Sequence, residues 1–249
     1  MEAKEQQFAI KPHHCGSDGN IKIFSLMQFL QEIATIHADE LGFGPARLNE
    51  IGVYWAMSNI RIELTRLPRW PEVVKIKTWP SGYSRLIATR EFAGMDESGR
   101  ELFRAGSQWM ILGNQSNRPK NLLHLDLNLP QTGEKVIRQD MNRLEPHNDY
   151  SQVEKIFVPH SSIDMNGHVN NTEYVRWGID GLRRKYEFKG DIRFVHATYL
   201  AEVYEADELD LLVSGAENGR FGVLLKRADT GGSVYLMEIG REIFASAGR

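Results

Sequence analysis

The run I-D-M-N-G-H-V-N-N-T-E-Y-V-R-W, at Ile163–Trp177, decides more of the fold than any other stretch of the chain. Asp164, Asn166 and His168 occupy every second position in it. Because alternate side chains of an extended strand lie on one face, we expect a carboxylate, an amide and an imidazole to point into one cleft. No other part of the sequence concentrates reactive side chains so closely.

A helix is predicted to begin directly after these polar residues. Its first turn leaves backbone N–H groups without partners inside the helix, and a side-chain oxygen from Asn170, Asn171 or Thr172 can cap them. Apolar positions then recur at helical spacing and predict a buried stripe. The stripe consists of Tyr174, Trp177, Gly181 and Leu182. The polar residues therefore meet a helix N-terminus, whose dipole favours negative charge, beside an apolar wall.

The second half of the chain repeats the pattern of the first. A shift of 133 positions (229 − 96) places Asp96 of a D-E-S-G turn on Asp229 of a D-T-G-G turn. The same shift pairs Thr65 with Thr198 and Ile76 with Leu209. Upstream, a shift of 148 positions (166 − 18) sets Asp18 against Asn166. The two shifts differ by fifteen, which indicates a longer loop in the first half, around Gly42–Gly52.

Each half combines one long helix with several strands. The first helix is predicted over Ile23–Leu41, and strands with alternating polarity follow, as at Val73–Trp79 and Glu208–Val213. We therefore predict an α+β fold in which a long central helix is wrapped by an antiparallel β-sheet, duplicated in tandem over residues 1–130 and 150–249. Residues 113–150, rich in Asn, Pro and Gln, are expected to connect the halves across the surface, with a short helix or strand inside them.

Composition places the chain among ordinary soluble globular proteins. It has 249 residues, of which 41% are hydrophobic and 25% charged. A formal net charge of −3 gives no general reason to expect nucleic-acid binding. Cys15 is the only cysteine, which excludes an internal disulfide and a multi-cysteine metal site and fits a reducing compartment. No run of about 18 apolar residues occurs, so we expect a cytoplasmic protein without a membrane span.

The G-H-V-N-N-x-x-Y-x-x-W pattern at Gly167–Trp177, on a unit of long helix plus sheet, resembles the hotdog-fold thioesterases. The tandem arrangement narrows the resemblance to the acyl-acyl-carrier-protein thioesterases and implies a tandem double hotdog. Three further segments agree with that family: Leu30–Ala34, Trp55–Ile62 and Pro68–Trp79. The resemblance extends from about Ile10 to Phe244.

The resemblance also implies an activity and a site. Members of the family hydrolyse the thioester of a fatty acyl chain on acyl carrier protein, which releases free fatty acid and ends chain elongation without a cofactor or metal. The implied catalytic set is Asp164, Asn166, His168 and, on a following strand, Glu202. Plant members carry a cysteine directly after this glutamate, whereas this chain has Val203. Because valine cannot attack a thioester, we expect water to be the nucleophile rather than Cys15.

The first half has lost these groups. Asp18 stands at the position of Asn166, Asn20 at that of His168, and Arg69 at that of Glu202. We expect this half to support the fold and to line an acyl pocket. The pocket is predicted around the helix Phe24–Leu41 and the strand Trp55–Ile62.

Each predicted site residue also has a structural interpretation. His168 can simply hydrogen-bond a backbone carbonyl before a helix, and Asp164 can be a loop carboxylate. Glu202 lies in an acidic run and can be a solvated strand residue. Asn170 and Asn171 are better explained as caps than as catalytic groups.

An acidic carrier protein requires a basic surface. Arg183, Arg184 and Lys185 form one candidate cluster, although positive charge is expected at a helix C-terminus for the dipole alone. Arg61, Arg66 and Arg69 form another. Two rival functions stay open: an acyl-CoA thioesterase, and a non-hydrolytic acyl-binding protein. Because a tandem chain can pair its two sheets internally, either a monomer or a homodimer is expected.

Overall fold

The computed structural model describes residues 3–146, 149–186, 188, 192–217 and 219–241. The chain divides into two compact units, residues 1–141 and 142–249. The division falls inside the predicted connecting segment, so each unit is described separately.

The first unit is a five-stranded antiparallel sheet with two helices, counted over its described residues. Its elements are β1 (Lys4–Ala9), α1 (Ile23–Glu40), α2 (Pro45–Glu50), β2 (Val53–Leu64), β3 (Val73–Tyr83), β4 (Ala88–Met95) and β5 (Glu101–Gly113). The strand order is β1-β3-β4-β5-β2, and every neighbouring pair is antiparallel.

The second unit repeats this arrangement. Its elements are β6 (Ser151–Phe157), α3 (Asn171–Tyr186), β7 (Phe194–Tyr199), β8 (Glu208–Glu217), β9 (Arg220–Arg227) and β10 (Ser233–Gly240). The strand order is β6-β8-β9-β10-β7, again antiparallel throughout. Strand for strand, this is the order of the first unit. The predicted α+β fold, a long helix against an antiparallel sheet in two copies, is confirmed.

Both long helices bury the faces that the sequence predicts. In α1 the buried side chains recur at intervals of three and four, and the helix packs against β1 and β3. The helix ends at Glu40, one residue before the predicted end, and Gly42 follows it with φ 82°. In α3 the predicted stripe is buried. A Cβ atom at Gly181 would lie 2.6 Å from Leu211, so this glycine allows the helix to approach β8 closely.

The longer loop predicted in the first half contains a short helix that the sequence analysis missed. This helix, α2, is six residues long and starts at Pro45, a residue favoured in the first helical turn. It packs against β2 and α1, and Leu48 is buried in a small core cluster with Phe43 and Val53. Part of the extra length of the first half is therefore helix α2 and not loop.

The segment after β5 packs against the face of the first sheet opposite α1. Arg90 of β4 bonds His37 of α1, so its neighbour Glu91 faces the other side. There the carboxylate of Glu91 accepts the N–H of Val136 at 3.1 Å, while the Trp79 indole donates to the carbonyl of Glu134 at 2.9 Å. As predicted, this segment contains a short helical turn, Leu122–His124. Three of its apolar side chains are buried: Leu122, Leu127 and Ile137.

Candidate functional site

The run that precedes α3 folds as a tight turn. Ile163 and Val169 form an antiparallel bridge, the N–H of Asp164 donates to the carbonyl of His168 at 2.8 Å, and the N–H of Gly167 donates back to the carbonyl of Asp164 at 3.0 Å. Gly167 has φ 80°, a left-handed conformation that residues with a side chain rarely adopt. The prediction that the polar residues alternate along an extended strand was therefore wrong, because this glycine reverses the chain.

Asp164 and Asn166 have different surroundings within the turn. A carboxylate oxygen of Asp164, Oδ1, accepts the backbone N–H of Asn166 at 2.8 Å, which closes an Asx turn. Asn166 itself is exposed. Asp164 thus holds the turn in shape, and this contact agrees with its structural interpretation as a loop carboxylate.

His168 and Glu202 come together although 34 positions (202 − 168) separate them. Nε2 of His168 lies 3.6 Å from Oε2 of Glu202, and each side chain is 19% exposed. Glu202 lies in the loop between β7 and β8 and not on a strand, which corrects the predicted placement. The N–H of Val169 donates to the carbonyl of Val203 at 2.9 Å and ties the turn to this loop. The pair is therefore fixed from both sides by backbone contacts.

Two residues that the sequence analysis missed surround Glu202. Arg227, at the end of β9, donates from Nη2 to the Glu202 carbonyl at 2.6 Å and pairs through Nη1 with Asp207 at 2.7 Å. The Tyr204 hydroxyl donates to Oε2 of Glu202 at 3.1 Å, and the Tyr204 ring meets the His168 ring edge to face at 5.1 Å. No local motif marks these residues, because the fold alone brings them to the site.

The N-terminus of α3 is capped by Asn170, one of the three predicted caps. Its side-chain oxygen accepts the N–H of Thr172 at 3.0 Å and the Thr172 hydroxyl at 2.8 Å, and its carbonyl accepts the N–H of Glu173 at 3.0 Å. These contacts occupy two of the first-turn donors. Of the N–H groups at the start of the helix, that of Asn171 is left as the candidate to receive a developing oxyanion.

Three tyrosines from α3 and the sheet of the second unit pack together with their rings inclined to one another. Ring centroids of Tyr174, Tyr199 and Tyr235 are separated by 5.1 to 5.6 Å. Burial raises the pKa of all three phenols. The charges of Glu202 and Asp164 add to the rise in the pKa of Tyr174, and Arg227 opposes it. The Tyr199 hydroxyl donates to the carbonyl of Asn171 at 3.0 Å, whereas the buried Tyr235 hydroxyl has no hydrogen-bond partner among the described residues.

The first unit contains the same turn without the reactive side chains. Cys15 and Ile21 form the bridge, the N–H of Gly16 donates to the carbonyl of Asn20 at 2.9 Å, and the N–H of Gly19 donates to that of Gly16 at 3.1 Å. Gly16 and Asn20 therefore occupy the places of Asp164 and His168. The first unit keeps the shape of the turn and lacks the imidazole. Its carboxylate, Asp18, stands at the position of Asn166 and accepts the N–H and the side-chain amide of Asn20 at 3.0 and 3.1 Å.

The counterpart of Glu202 differs from the predicted one. The N–H of Ile21 donates to the carbonyl of Pro68 at 2.8 Å, as Val169 does to Val203, so Leu67 corresponds to Glu202. The prediction of Arg69 was two residues off, and Thr65 corresponds likewise to Leu200 instead of Thr198. The shift of 133 positions is two residues off in the next strand as well. Val74 pairs with Phe8 as Leu209 pairs with Ile156, so Val74 and not Ile76 corresponds to Leu209, at a shift of 135 (209 − 74).

The remaining predicted groups fall outside this site or change their interpretation. Val203 is fully buried, and Cys15 lies in the first unit, where its thiol contacts the carbonyl of Lys11 at 3.6 Å. Arg61 is buried in an ion pair with Glu63 at 2.9 Å, so the cluster around it does not form an exposed basic surface. Arg183 and Lys185 are exposed, and Arg184 pairs with Glu154.

Over the described part of the chain, no helix is both long and apolar enough to cross a membrane. The same residues include no group of three or more His, Cys, Asp or Glu side chains arranged to hold a metal ion.

Two family models match the chain. The acyl-ACP thioesterase N-terminal domain matches residues 2–124, and the acyl-ACP thioesterase C-terminal domain matches residues 145–238. Together the two matches cover most of the sequence in the order that the tandem fold requires.

Solved structures and relatives agree with these matches. An acyl-ACP thioesterase from Bacteroides thetaiotaomicron superimposes with a TM-score of 0.84 and 28% identity, over 96% of this chain and 98% of that one. A 12:0-ACP thioesterase from Umbellularia californica, 19% identical, shares the fold with a TM-score of 0.80 over 96% of each chain. The chloroplastic oleoyl-acyl carrier protein thioesterase 1 of Arabidopsis thaliana is 24% identical over 86% of this chain and 66% of its own length.

The chain spans about two thirds of the length of the first curated relatives that it matches, with 66% and 62% of theirs covered. The duplicated fold and the two family matches nevertheless lead to one conclusion. The chain belongs to the acyl-ACP thioesterase family.

Proposed function

We propose that the chain hydrolyses the thioester of fatty acyl-acyl carrier protein, which releases free fatty acid and ends chain elongation. The observation that carries this proposal is the contact of His168 with Glu202 at 3.6 Å, next to the N-terminus of α3, in a member of this family. A carboxylate and an imidazole at this distance can move protons to and from one reacting centre.

In the proposed reaction Glu202 acts as the general base. Its carboxylate takes a proton from water while the water oxygen bonds the thioester carbon. The tetrahedral intermediate then collapses, the carbon–sulfur bond breaks, and the sulfur receives a proton through His168. Both side chains are only partly exposed, at 19%, which limits the water that competes for these proton transfers. The products are a carboxylic acid and the thiol of the carrier.

The helix N-terminus supplies the electrostatic part of the mechanism. The oxyanion is received by the N–H of Asn171, reinforced by the dipole of α3. Asn166, exposed at the tip of the turn, orients the attacking water through its amide. Asp164 keeps the turn closed through its bond to the N–H of Asn166, which holds His168 in place. Asp164, Asn166, His168 and Glu202 thus form the proposed catalytic set with unequal roles.

The acyl chain and the carrier protein of the substrate bind to different surfaces. The acyl chain occupies a pocket lined by α1 and by the Trp55–Ile62 part of β2, and each added methylene contributes about 0.8 kcal/mol of burial, so the depth of the pocket selects chain length. The acidic carrier protein docks on the exposed Arg183 and Lys185. The single cysteine, Cys15, supports a reducing compartment such as the cytoplasm, where the protein acts as a monomer or homodimer.

Matched substrates test the proposal. Thiol release is measured from acyl-carrier and acyl-CoA thioesters of the same acyl chains at several lengths, with Glu202→Gln as the inactive control. Faster turnover of the carrier-linked series supports the proposal. Equal or faster turnover of the CoA series identifies an acyl-CoA thioesterase, and retention of the acyl ligand without thiol release identifies a binding protein.

A further inference from the structure

We propose that Tyr204 is a positioning residue that holds the carboxylate of Glu202 in its reactive orientation. The proposal rests on the proposed function, in which Glu202 is the base. Tyr204 follows Glu202 by two positions, on the loop between β7 and β8.

The contacts of Tyr204 reach both members of the pair. Its hydroxyl donates to Oε2 of Glu202 at 3.1 Å, and that same oxygen lies 3.6 Å from Nε2 of His168. Its ring packs edge to face on the imidazole at 5.1 Å. One side chain therefore fixes the direction of the carboxylate and the position of the imidazole next to it. A hydrogen bond to a charged group is among the stronger ones that a protein makes.

Tyr204 is itself held by the loop. Its N–H donates to Oδ2 of Asp207 at 2.9 Å, and the same oxygen pairs with Arg227, which also donates to the carbonyl of Glu202. Between them Ala206 adopts φ 66°, a conformation that residues with a side chain adopt only at an energetic cost. The loop is thus a closed ring of contacts that directs Tyr204 back onto Glu202.

The corresponding loop of the first unit shows whether the loop itself needs a tyrosine. There the N–H of Arg69 donates to a carboxylate oxygen of Glu72 at 3.1 Å, as Tyr204 does to Asp207, and Arg66 pairs with Glu72 at 2.9 Å, as Arg227 does with Asp207. The same two contacts therefore form with arginine in place of tyrosine and leucine in place of Glu202. Since these contacts do not need the phenol, its presence beside the glutamate points to the reaction.

The test compares two removals of a tyrosine hydroxyl. Tyr204→Phe keeps the ring and loses the bond to Glu202. The matched control is Tyr54→Phe in the first unit, where the hydroxyl donates to Oδ1 of Asn117 at 3.4 Å. We expect Tyr204→Phe to lower kcat about tenfold, the size typical of one hydrogen bond to a charged group, with KM and melting temperature unchanged. Tyr54→Phe should leave kcat unchanged. Wild-type kcat in Tyr204→Phe would overturn the proposal.

A second measurement distinguishes positioning from a merely structural effect. In Glu202→Asp the side chain is shorter, so its carboxylate lies farther from the Tyr204 hydroxyl. Adding Tyr204→Phe to this variant should therefore lower kcat little further. An equal loss in both backgrounds would contradict the inference. If Glu202→Gln retains full turnover, the proposed base is wrong whatever Tyr204 does. If Glu202→Gln is inactive while Tyr204→Phe is fully active, only the inference about Tyr204 fails.

Discussion

The turn at Cys15–Ile21 and the turn at Ile163–Val169 share one backbone and differ in chemistry. Both close with the same bridge and the same pair of N–H to carbonyl bonds before a long helix. Only the second carries an imidazole, at His168, with a carboxylate against it. The comparison teaches that the fold requires the turn as the start of its central helix, and that the reactive groups were placed on a backbone that exists without them.

Three buried residues next to each turn also differ, since those of the second unit carry polar groups and those of the first do not. Tyr174, Tyr199 and Tyr235 correspond to Leu26, Leu64 and Phe103, because Leu64 pairs with Phe103 as Tyr199 pairs with Tyr235. All three residues of the first unit are fully buried and apolar. The second unit therefore has three hydroxyl groups at positions where the first unit has none.

The largest expected effect separates the two turns by activity. His168→Ala should lower kcat/KM about 100- to 10,000-fold, the range typical of a lost general acid or base. Asn20→Ala, at the corresponding position of the first turn, should leave kcat/KM unchanged. Thiol release from one acyl-carrier substrate measures both variants, and urea unfolding verifies that they are folded. Equal losses in the two variants would remove the functional difference between the turns.

The second effect concerns the carrier. Reversing charge with Arg183→Glu and Lys185→Glu at the end of α3 should raise KM for the carrier-linked substrate about tenfold and leave small thioesters unaffected, because in the proposed docking only the carrier contacts this surface. Arg118→Glu with Lys120→Glu, two exposed residues of the first unit, is the matched control. A rise in KM for small thioesters as well would count against docking there.

The third prediction concerns the buried hydroxyl groups of Tyr174, Tyr199 and Tyr235. Below pH 10, the ordinary value for tyrosine, Tyr235 is protonated whether the chain is folded or unfolded. Because its pKa is raised in the folded state, the unfolded chain loses this proton first and stability falls as the pH rises above 10. Between pH 10 and its raised pKa, each such phenol lowers the free energy of unfolding by about 1.4 kcal/mol for every unit by which the pH rises.

Tyr235→Phe should remove the part of this fall in stability with pH that Tyr235 causes. At pH 7 the same variant should raise the free energy of unfolding by about 1 kcal/mol, because its buried hydroxyl has no partner among the described residues. Tyr199→Phe, which loses the bond to Asn171, should instead lower it. Denaturant unfolding at pH 7, 9 and 11 measures these differences. A destabilised Tyr235→Phe at pH 7 would show that the hydroxyl contributes a favourable contact.

The smallest effect compares the helix caps. Asn170 caps α3 with its side chain, whereas Lys22 at the same position of α1 makes no side-chain cap. Asn170→Ala should lower the free energy of unfolding by about 1 kcal/mol, and Lys22→Asn should raise it by somewhat less. Thermal unfolding of the two variants provides the measurement. No gain from Lys22→Asn would mean that α1 starts well without a cap.

The sequence predicted the elements that depend on periodicity and missed those that depend on tertiary contact. The helix over Ile23–Leu41 and the duplicated α+β fold follow from apolar spacing and from the internal repeat. The hairpin around Asp96 was misaligned: the N–H of Gly99 donates to the carbonyl of Asp96 as that of Gly231 donates to the carbonyl of Arg227, so Asp96 corresponds to Arg227 instead of Asp229. The end of β2 slipped by two residues, since nothing in the sequence around Thr65 marks the register.

The candidate site was predicted in part for the same reason. His168 lies in a dense local motif, whereas Glu202 was found through the family resemblance. Tyr204 and Arg227 reach the site only through the loop and the end of β9, so no spacing along the chain reveals them. The shape of the turn was mispredicted because alternation suggests a strand, while one glycine with positive φ reverses the chain.

The packing of residues 132–137 on the first sheet has a practical consequence for recombination between relatives. The N–H of Gly133 donates to the carbonyl of Ser81 at 2.9 Å, and Glu91 holds the N–H groups of Val136 and Ile137. A chimaera joined at residue 113 would strip these partners from Ser81 and Glu91. A crossover at residues 141–142, where the two compact units divide, keeps residues 132–137 with the strands that they bond.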